Sequence, residues 1–553
     1  MSIIPALCRA GEWEKQVRLG RLAGAVAALV LAAIPGSPAA AAGTYPPGVT
    51  VDTMRIASAG TAAVAAGGAH SCMITSLGDV YCWGNDSSGQ LGDGARRHGF
   101  AEPVKALRNA VRADAGRAHT CAIDTGGTAY CWGDDSAGQL GDGAHTDRDA
   151  PHPVEALRGR TLVMIATGSR HTCAADDEGA AWCWGDGSRG QLGVPGTSRS
   201  ATPVRVRTGG RTDEIVDIAA GGDTTCVATA GGSVYCWGAD PAGGEERSAP
   251  AAVTTGGKVR EVAAGGRQAC ALDADGAAYC WGATARRAGP FAAISAGAAH
   301  ACGIDRGGRA YCWGDGGGDG GGGGRLGHGR TAGRTAPTGV EVDAELTGID
   351  AGSAHSCAVD ARGYTFCWGS GADGQLGAGG TAFSAVPVRV EGLPRAPAAA
   401  TGVQVRALDG GLRVSWRPPA DLGSGQFEYV WVTTAGHEAG CTLPALTAQG
   451  CDLTGLRNGQ EYDVAVVVKT SDGMRVGDFV TATPVAVAPD PLGAAPPRRE
   501  LQPGAGGGLP LTGLSPVALV AIGTMLLGGG LVALLVRAPQ SPAPRRGTVR
   551  RRP

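Results

Sequence analysis

A chain of 553 residues with 96 Gly, 32 Pro and only 5% aromatic residues is too long for one ordinary core and poorly suited to helices. Its formal charge is −2, and the 48 basic and 50 acidic residues are interspersed over most of its length, so no basic stripe offers itself to nucleic acid. The composition points to an all-β chain of short strands joined by turns, in two or more domains.

The first element is a targeting segment. Arg18 and Arg21 precede an uncharged apolar run from Leu22 to Ile34, followed by Pro35, Pro38 and the small residues Ala39 to Gly43. A positive region, a short apolar core and an Ala-x-Ala site predict a signal peptide over residues 1–42, with an uncleaved anchor as the alternative. The run is shorter than the roughly 20 residues a membrane span needs.

Beyond it lies a repeat. Of the 17 Cys, Cys8 falls in the signal segment. The other sixteen form pairs ten residues apart: Cys72 and Cys82, Cys121 and Cys131, Cys173 and Cys183, Cys226 and Cys236, Cys270 and Cys280, Cys302 and Cys312, Cys357 and Cys367, Cys441 and Cys451. An even set of regularly spaced Cys in a secreted chain predicts a disulfide framework, each Cys bridged to the partner ten residues on. Zinc would call for short Cys-x-x-Cys knuckles, which the sequence lacks.

The first seven pairs share one pattern, as in the run from His70 to Gly84, HSCMITSLGDVYCWG. Six places after each first Cys stands Gly: Gly78, Gly127, Gly179, Gly232, Gly276, Gly308 and Gly363. With Cys72 opposite Cys82, Thr75 faces Asp79 and Ser76-Leu77-Gly78 becomes a three-residue hairpin loop. The last position of such a loop is left-handed and suits Gly. An aromatic residue precedes each second Cys, and Trp-Gly follows it. Gly also stands five places before each first Cys, from Gly67 to Gly352. Short apolar strands such as Ile215 to Ala219, and before them Pro-Val stretches such as Pro203 to Val206, make four strands per unit, the composition of a propeller blade.

The runs Ala-Gly-x-x-His-(Ser/Thr)-Cys, Tyr-Cys-Trp-Gly and Gly-Gln-Leu-Gly resemble the regulator of chromosome condensation repeat family. Gly-Gln-Leu-Gly occurs at Gly89–Gly92, Gly138–Gly141, Gly190–Gly193 and Gly374–Gly377; copy six has Gly324-Arg325-Leu326-Gly327, and copies four and five lack it. The resemblance implies a seven-bladed β-propeller over residues 43–395. Two further expectations concern its edges. A spare last strand, Pro387 to Val390, closes the ring beside the first hairpin, and the short fifth blade has three strands.

Chemistry is sparse. We find no nucleophile-and-base arrangement, no cofactor loop and no metal knuckle, so no catalytic, cofactor or metal residue is assigned. His70, His119, His171, His300 and His355 recur at one position beside a core strand and read as structural; a ring of metal ligands is the other reading. Stretches such as Asn85 to Gly89 read as Asx turns in preference to calcium loops, and the repeated Trp as packing between blades in preference to sugar binding. Departures from the repeat gather in one sector: Ala239 to Pro250, Ala283 to Phe291 and Asp315 to Arg334. Recognition residues sit on loops held by rigid scaffolds, so a recognition surface is one reading of this sector; drift within a repeat array is the other.

Residues 396–487 change pattern, with LRVSW, EYVWV and LTGLRNGQEYDVAVVV. They resemble a fibronectin type III β-sandwich, which implies a buried Trp416, a tyrosine corner at Tyr462 and an extra hairpin disulfide between Cys441 and Cys451. Residues 488–508 form a Pro/Gly-rich linker. Leu514 to Val536 is an uncharged 23-residue run, about 34 Å as a helix and enough to cross a bilayer. Arg537 and five further Arg follow it, which keeps that end cytoplasmic. Leu509, Pro510, Leu511, Thr512 and Gly513 precede the span, so residues 509–553 resemble the Leu-Pro-x-Thr-Gly sorting signal of Gram-positive cell-wall proteins. The resemblance implies that sortase joins Thr512 to peptidoglycan; a plain membrane anchor with a chance pentapeptide is the alternative.

These expectations describe a non-catalytic binding scaffold on the cell surface, with an extracellular protein or glycan as partner and a membrane span before sorting. A protein inhibitor, as in the secreted β-lactamase inhibitor protein II of the same architecture, is the alternative. Guanine-nucleotide exchange, the activity of the eukaryotic family namesake, fits a secreted chain poorly because its partner is cytosolic.

Overall fold

The computed structural model describes residues 63–486, apart from 97–98, 105–106, 208–213, 283–285, 319–322, 381 and 435–438. The expected signal segment, the linker, the span and the sorting residues Leu509, Pro510, Thr512 and Gly513 lie outside the described residues.

The hairpin is the local unit. His70–Ile74 pairs with Val80–Gly84, setting Cys72 opposite Cys82. The turn is closed by hydrogen bonds from Thr75 N to Asp79 O (2.8 Å) and from Gly78 N to Thr75 O (2.9 Å). Gly78 has φ +80°, and the equivalent glycines of the other six hairpins are left-handed too, so a Cβ there would strain every turn. In each hairpin the paired Cα atoms are 4.0–4.1 Å apart and joined by a disulfide.

Among the described residues, seven four-stranded antiparallel sheets repeat this hairpin between an inner and an outer strand. The inner strands, such as Ala63–Ala66, Ala110–Ala115 and Leu346–Ala351, line an axial cavity of about 390 Å³. Main chains touch around this axis: Gly68 N donates to Gly116 O (3.0 Å), and Ser353 N to Gly67 O (3.1 Å). A Cβ on Gly67 would lie 2.6 Å from Gly116 O, which accounts for the Gly five places before each first Cys.

Two expectations about the blades are corrected. The Pro-Val strand lies downstream of its own hairpin: Arg199–Val206 pairs with Ala181–Asp186, and Phe383–Arg389 with Thr365–Ser370. A periodic sequence reveals the length of the repeat but not where one unit ends, and each outer strand takes the nearest free edge. The last strand therefore completes its own blade, and the ring closes by side-on packing of blade seven against blade one. At that seam Met73 and Trp83 pack with Val359, Leu376 and Val390. Blade five also keeps four strands, its outer one shortened to Arg286–Ala288.

Residues 401–482 form two more sheets. Thr401–Leu408, Gly411–Arg417 and Gly450–Thr454 make one, and Phe427–Thr434, Gly440–Leu443, Tyr462–Thr470, Gly473–Val476 and Val480–Ala482 make the other. Leu412, Val414, Trp416 and Leu453 of the first pack against Val430, Val432, Val464, Val466 and Val468 of the second. The Tyr462 hydroxyl accepts from Arg457 N (3.1 Å). Cys441 and Cys451 are bonded but not within a hairpin: their strands belong to opposite sheets, with Cα atoms 6.7 Å apart. This sandwich meets the ring at its seam. Leu77 of blade one packs with Tyr429, Trp431 and Met474, while Arg475 donates to Ala361 O of blade seven (2.8 Å) and Arg362 pairs with Asp421.

Candidate functional site

Side chains meet most consistently at the junctions between blades, where five of the seven repeat one network. Between blades two and three, the Thr172 hydroxyl donates to Gln139 O (2.8 Å), and the Trp184 indole donates to the same carbonyl (2.8 Å). The only hydroxyl hydrogen is then spent, so Thr172 accepts from His119 Nε2 (3.0 Å) and the imidazole carries its proton there. Leu140, next to Gln139, is buried against Trp184. The same trio of bonds joins His70, Thr120, Gln90 and Trp132; His171, Thr225, Gln191 and Trp237; His300, Ser356, Arg325 and Trp368; and His355, Ser71, Gln375 and Trp83. Only a main-chain carbonyl is needed from the Gln position, which explains why Arg325 serves in copy six. All five imidazoles are fully buried, and burial pushes them down to about 3 or about 4, so they stay neutral. Their tie to a hydroxyl of the next blade is the structural role expected of them.

The two remaining junctions lose the whole network together. Blades four and five have Thr224 and Gln268 in place of His and lack Gly-Gln-Leu-Gly, and the following blades have Ala269 and Ala301 in place of the hydroxyl. The residue before each first Cys carries this signal in the sequence, but its meaning lies in a contact with another blade. The junctions then part ways. Between blades five and six, Phe291 stacks on Trp313 at 5.5 Å with the rings 8° apart, refilling the gap. Between blades four and five the gap stays open. A cavity of about 330 Å³ is walled by Trp237, Trp281, Pro241, Ala252 and Val253, with Asp240, Glu245 and Arg247 among its lining. Trp281 is half-buried, whereas the other six repeat Trp residues are 0–1% exposed. Of the sector singled out by its departures from the repeat, the structure thus opens Ala239 to Pro250 into a pocket and uses Phe291 as a plug.

Buried carboxylates form a second set near the axis, each crossing to the neighbouring blade. Asp114 accepts from Thr167 N (2.6 Å) and its hydroxyl (2.9 Å), Asp217 from Val262 N (2.7 Å), Glu261 from Ile294 N (2.8 Å) and Asp350 from Ala66 N (2.7 Å). Burial is the main cause that raises Asp114 to about 7, Glu261 to about 7 and Asp217 to about 6. A carboxyl raised on folding contributes stability that is fully present below its unfolded value near 4 and lost as pH rises through 6–7. The histidines run oppositely, contributing above their unfolded value near 6.5 and losing it as pH falls toward 3–4. Asp114→Asn, which cannot ionise, is therefore expected to lower the melting temperature at about pH 5 and to lower it less, or raise it, at about pH 8. Equal shifts at both pH values would refute the burial of a titrating carboxyl there.

Asx turns are present in the Asp-rich loops: Asn85 Oδ1 accepts from Ser87 N (3.0 Å) and Asp134 Oδ1 from Ser136 N (3.0 Å), while Asp86 and Asp135 reach further on to accept from Leu91 N and Leu140 N (3.0 Å each). Among the described residues no three His, Cys, Asp or Glu side chains gather to hold a metal.

The ring and its junctions define a β-propeller of disulfide-stapled repeats. The chain carries regulator of chromosome condensation repeats: two family models of that description match residues 78–123, 126–175, 178–228 and 362–405, and residues 62–90, 111–139, 164–191, 215–243 and 291–320. Similar proteins include the human E3 ubiquitin-protein ligase HERC2, 32% identical over 184 residues that make up 32% of this chain and 4% of that protein. The ultraviolet-B receptor UVR8 of Arabidopsis thaliana is 30% identical over 178 residues, 32% of this chain and 40% of the receptor. The chain thus spans less than half the length of these relatives. The solved structure of Prp20p from Saccharomyces cerevisiae matches with a TM-score of 0.50 at 20% identity, over 62% of this chain and 90% of that one, which establishes the shared fold.

Proposed function

We propose that this protein is a non-catalytic binding scaffold held on the outer face of a Gram-positive cell. The observation that carries the reading is the contrast among junctions: five are held to one network, and the departures are confined to one sector of a rigid ring. A scaffold that binds through a sector needs the rest of the ring kept to type. Eight disulfides suit an oxidising compartment outside the cytosol. Protein binding is a use of this fold elsewhere, since Prp20p binds Gsp1p and histones. In this reading residues 396–487 are a fibronectin type III module, the 488–508 linker lifts both domains from the wall, and Thr512 is joined to peptidoglycan by sortase.

The experiment that tests the scaffold is a pull-down with the full chain against surface proteins and wall fragments, where a specifically retained partner is expected and its absence from both pools sinks the reading. Anchoring has its own test. Thr512→Ala is expected to move the protein from the fraction released by wall hydrolase to the fraction released by detergent. Equal wall attachment of the variant would overturn the sortase assignment.

A further inference from the structure

We propose that the open junction between blades four and five is a peptide-binding pocket. Its ligand is a leucine side chain together with the backbone carbonyl before it, presented by a loop of a partner protein with a basic residue beside the leucine. The inference rests on the scaffold reading and gives it a site and a ligand chemistry.

The ring itself supplies the template. At five junctions the same surface is occupied by a segment of the chain: Leu91, Leu140, Leu192, Leu326 and Leu376 are each 0–1% exposed. The carbonyl before each one accepts the indole proton of the facing Trp at 2.8–2.9 Å. At the fourth blade the chain cannot do this. The turn is kept, with Gly243 N donating to Asp240 O (2.9 Å) as Gly89 N does to Asp86 O (3.2 Å). Gly244 and Glu245 then stand where Gln90 and Leu91 stand in the first copy, and the outer strand begins at once with Arg247–Val253. Among the described residues, none of this turn remains to lie across Trp281.

What is left is the imprint of a missing plug. The Trp281 ring is half-buried, and among the described residues its indole N–H meets no acceptor. The volume of about 330 Å³ lies within the range of pockets that hold small ligands. The other altered junction, where Phe291 covers Trp313, shows that loss of Gly-Gln-Leu-Gly alone does not leave a hole.

Charge selects the residue beside the leucine. Arg189 engages Glu246 (2.7 Å) and Asp223 (3.3 Å), and Arg247 lies 3.9 Å from Asp240. Glu245 on the pocket lining has no ion pair among the described residues. An exposed carboxylate at the rim favours a lysine or arginine next to the leucine.

The test uses the full chain, purified in detergent, and the hexapeptide Ser-Gly-Gln-Leu-Gly-Lys, which copies Ser88 to Gly92 with lysine in place of Asp93. Calorimetric titration is expected to show saturable binding with a Kd of about 0.1–1 mM. Changing the peptide's leucine to alanine should weaken it about tenfold or more, since a filled apolar pocket discriminates by that much. Trp281→Phe, which keeps a ring and removes the donor, should weaken binding about fivefold. Glu245→Lys, at an exposed position that leaves folding untouched, should reverse the preference from the Lys peptide to its Asp counterpart. No saturation up to about 5 mM, indifference to the leucine, or no change in either protein variant would overturn the pocket. Competition by a wall glycan fragment at Trp281 would overturn it in favour of sugar binding. A partner retained equally by wild type and both variants would remove the pocket and leave the scaffold standing, while peptide binding without any captured partner would do the reverse.

Discussion

Replacing both cysteines of one blade hairpin with serine, for instance Cys121 and Cys131, is expected to cost about 3 kcal/mol of stability. The bond closes a loop of about ten residues, and restricting so short a loop in the unfolded chain supplies stabilisation of that size. Both sulfur atoms belong to residues with no exposure, at a position where the backbone already brings the Cα atoms to 4.1 Å. Melting curves of the double variant should show one cooperative loss for the ring, since each blade rests on its neighbours. The Cys441–Cys451 pair should behave differently, because it ties one sheet of the sandwich to the other and its removal should loosen that domain first. Non-reducing peptide mapping is expected to return eight bridges, each between cysteines ten apart. Bridges between different repeats would refute the hairpin framework.

Thr172→Val, nearly isosteric, is expected to destabilise the ring by about 2–4 kcal/mol. The substitution leaves the buried His119 Nε2–H without its acceptor and takes from Gln139 O one of its two donors. An orphaned buried donor costs about 1–3 kcal/mol, more than an ordinary hydrogen bond contributes. Removing the imidazole as well should recover part of that loss, so Thr172→Val with His119→Leu should be milder than the sum by about 1–2 kcal/mol. Additive effects would show that the hydroxyl and the imidazole are not partners. The two junctions that lack this network keep the Trp but lose the histidine, the Gly-Gln-Leu-Gly segment and the hydroxyl together, which is what such coupling predicts: once the histidine and the carbonyl segment are gone, a buried hydroxyl at Ala269 or Ala301 would have nothing to bond.

Much of the ring is legible in the sequence. The left-handed Gly78, the loop Ser76-Leu77-Gly78 and the register of Cys72 against Cys82 follow from residues within ten positions of one another, where turn geometry leaves few choices. In the sandwich the burial of Trp416 and the bond Tyr462 accepts from Arg457 match what the resemblance of that segment implies, not what a local turn rule dictates. The pattern of Gly, aromatic and Trp residues also announced how many blades there are.

The sequence by itself determined these hairpins, their number and the separate pattern of residues 396–487, because short-range sterics and turn chemistry decide them. Only the tertiary structure decided where each blade ends, how the ring closes, that Cys441 and Cys451 belong to opposite sheets, and which junction stands open. Those outcomes depend on groups some fifty residues apart, such as His119 with Thr172, or almost three hundred apart, such as Trp83 with Gln375. No local preference encodes such pairs; they exist only once the blades are stacked, and the space beside Trp281 is a property of that stacking.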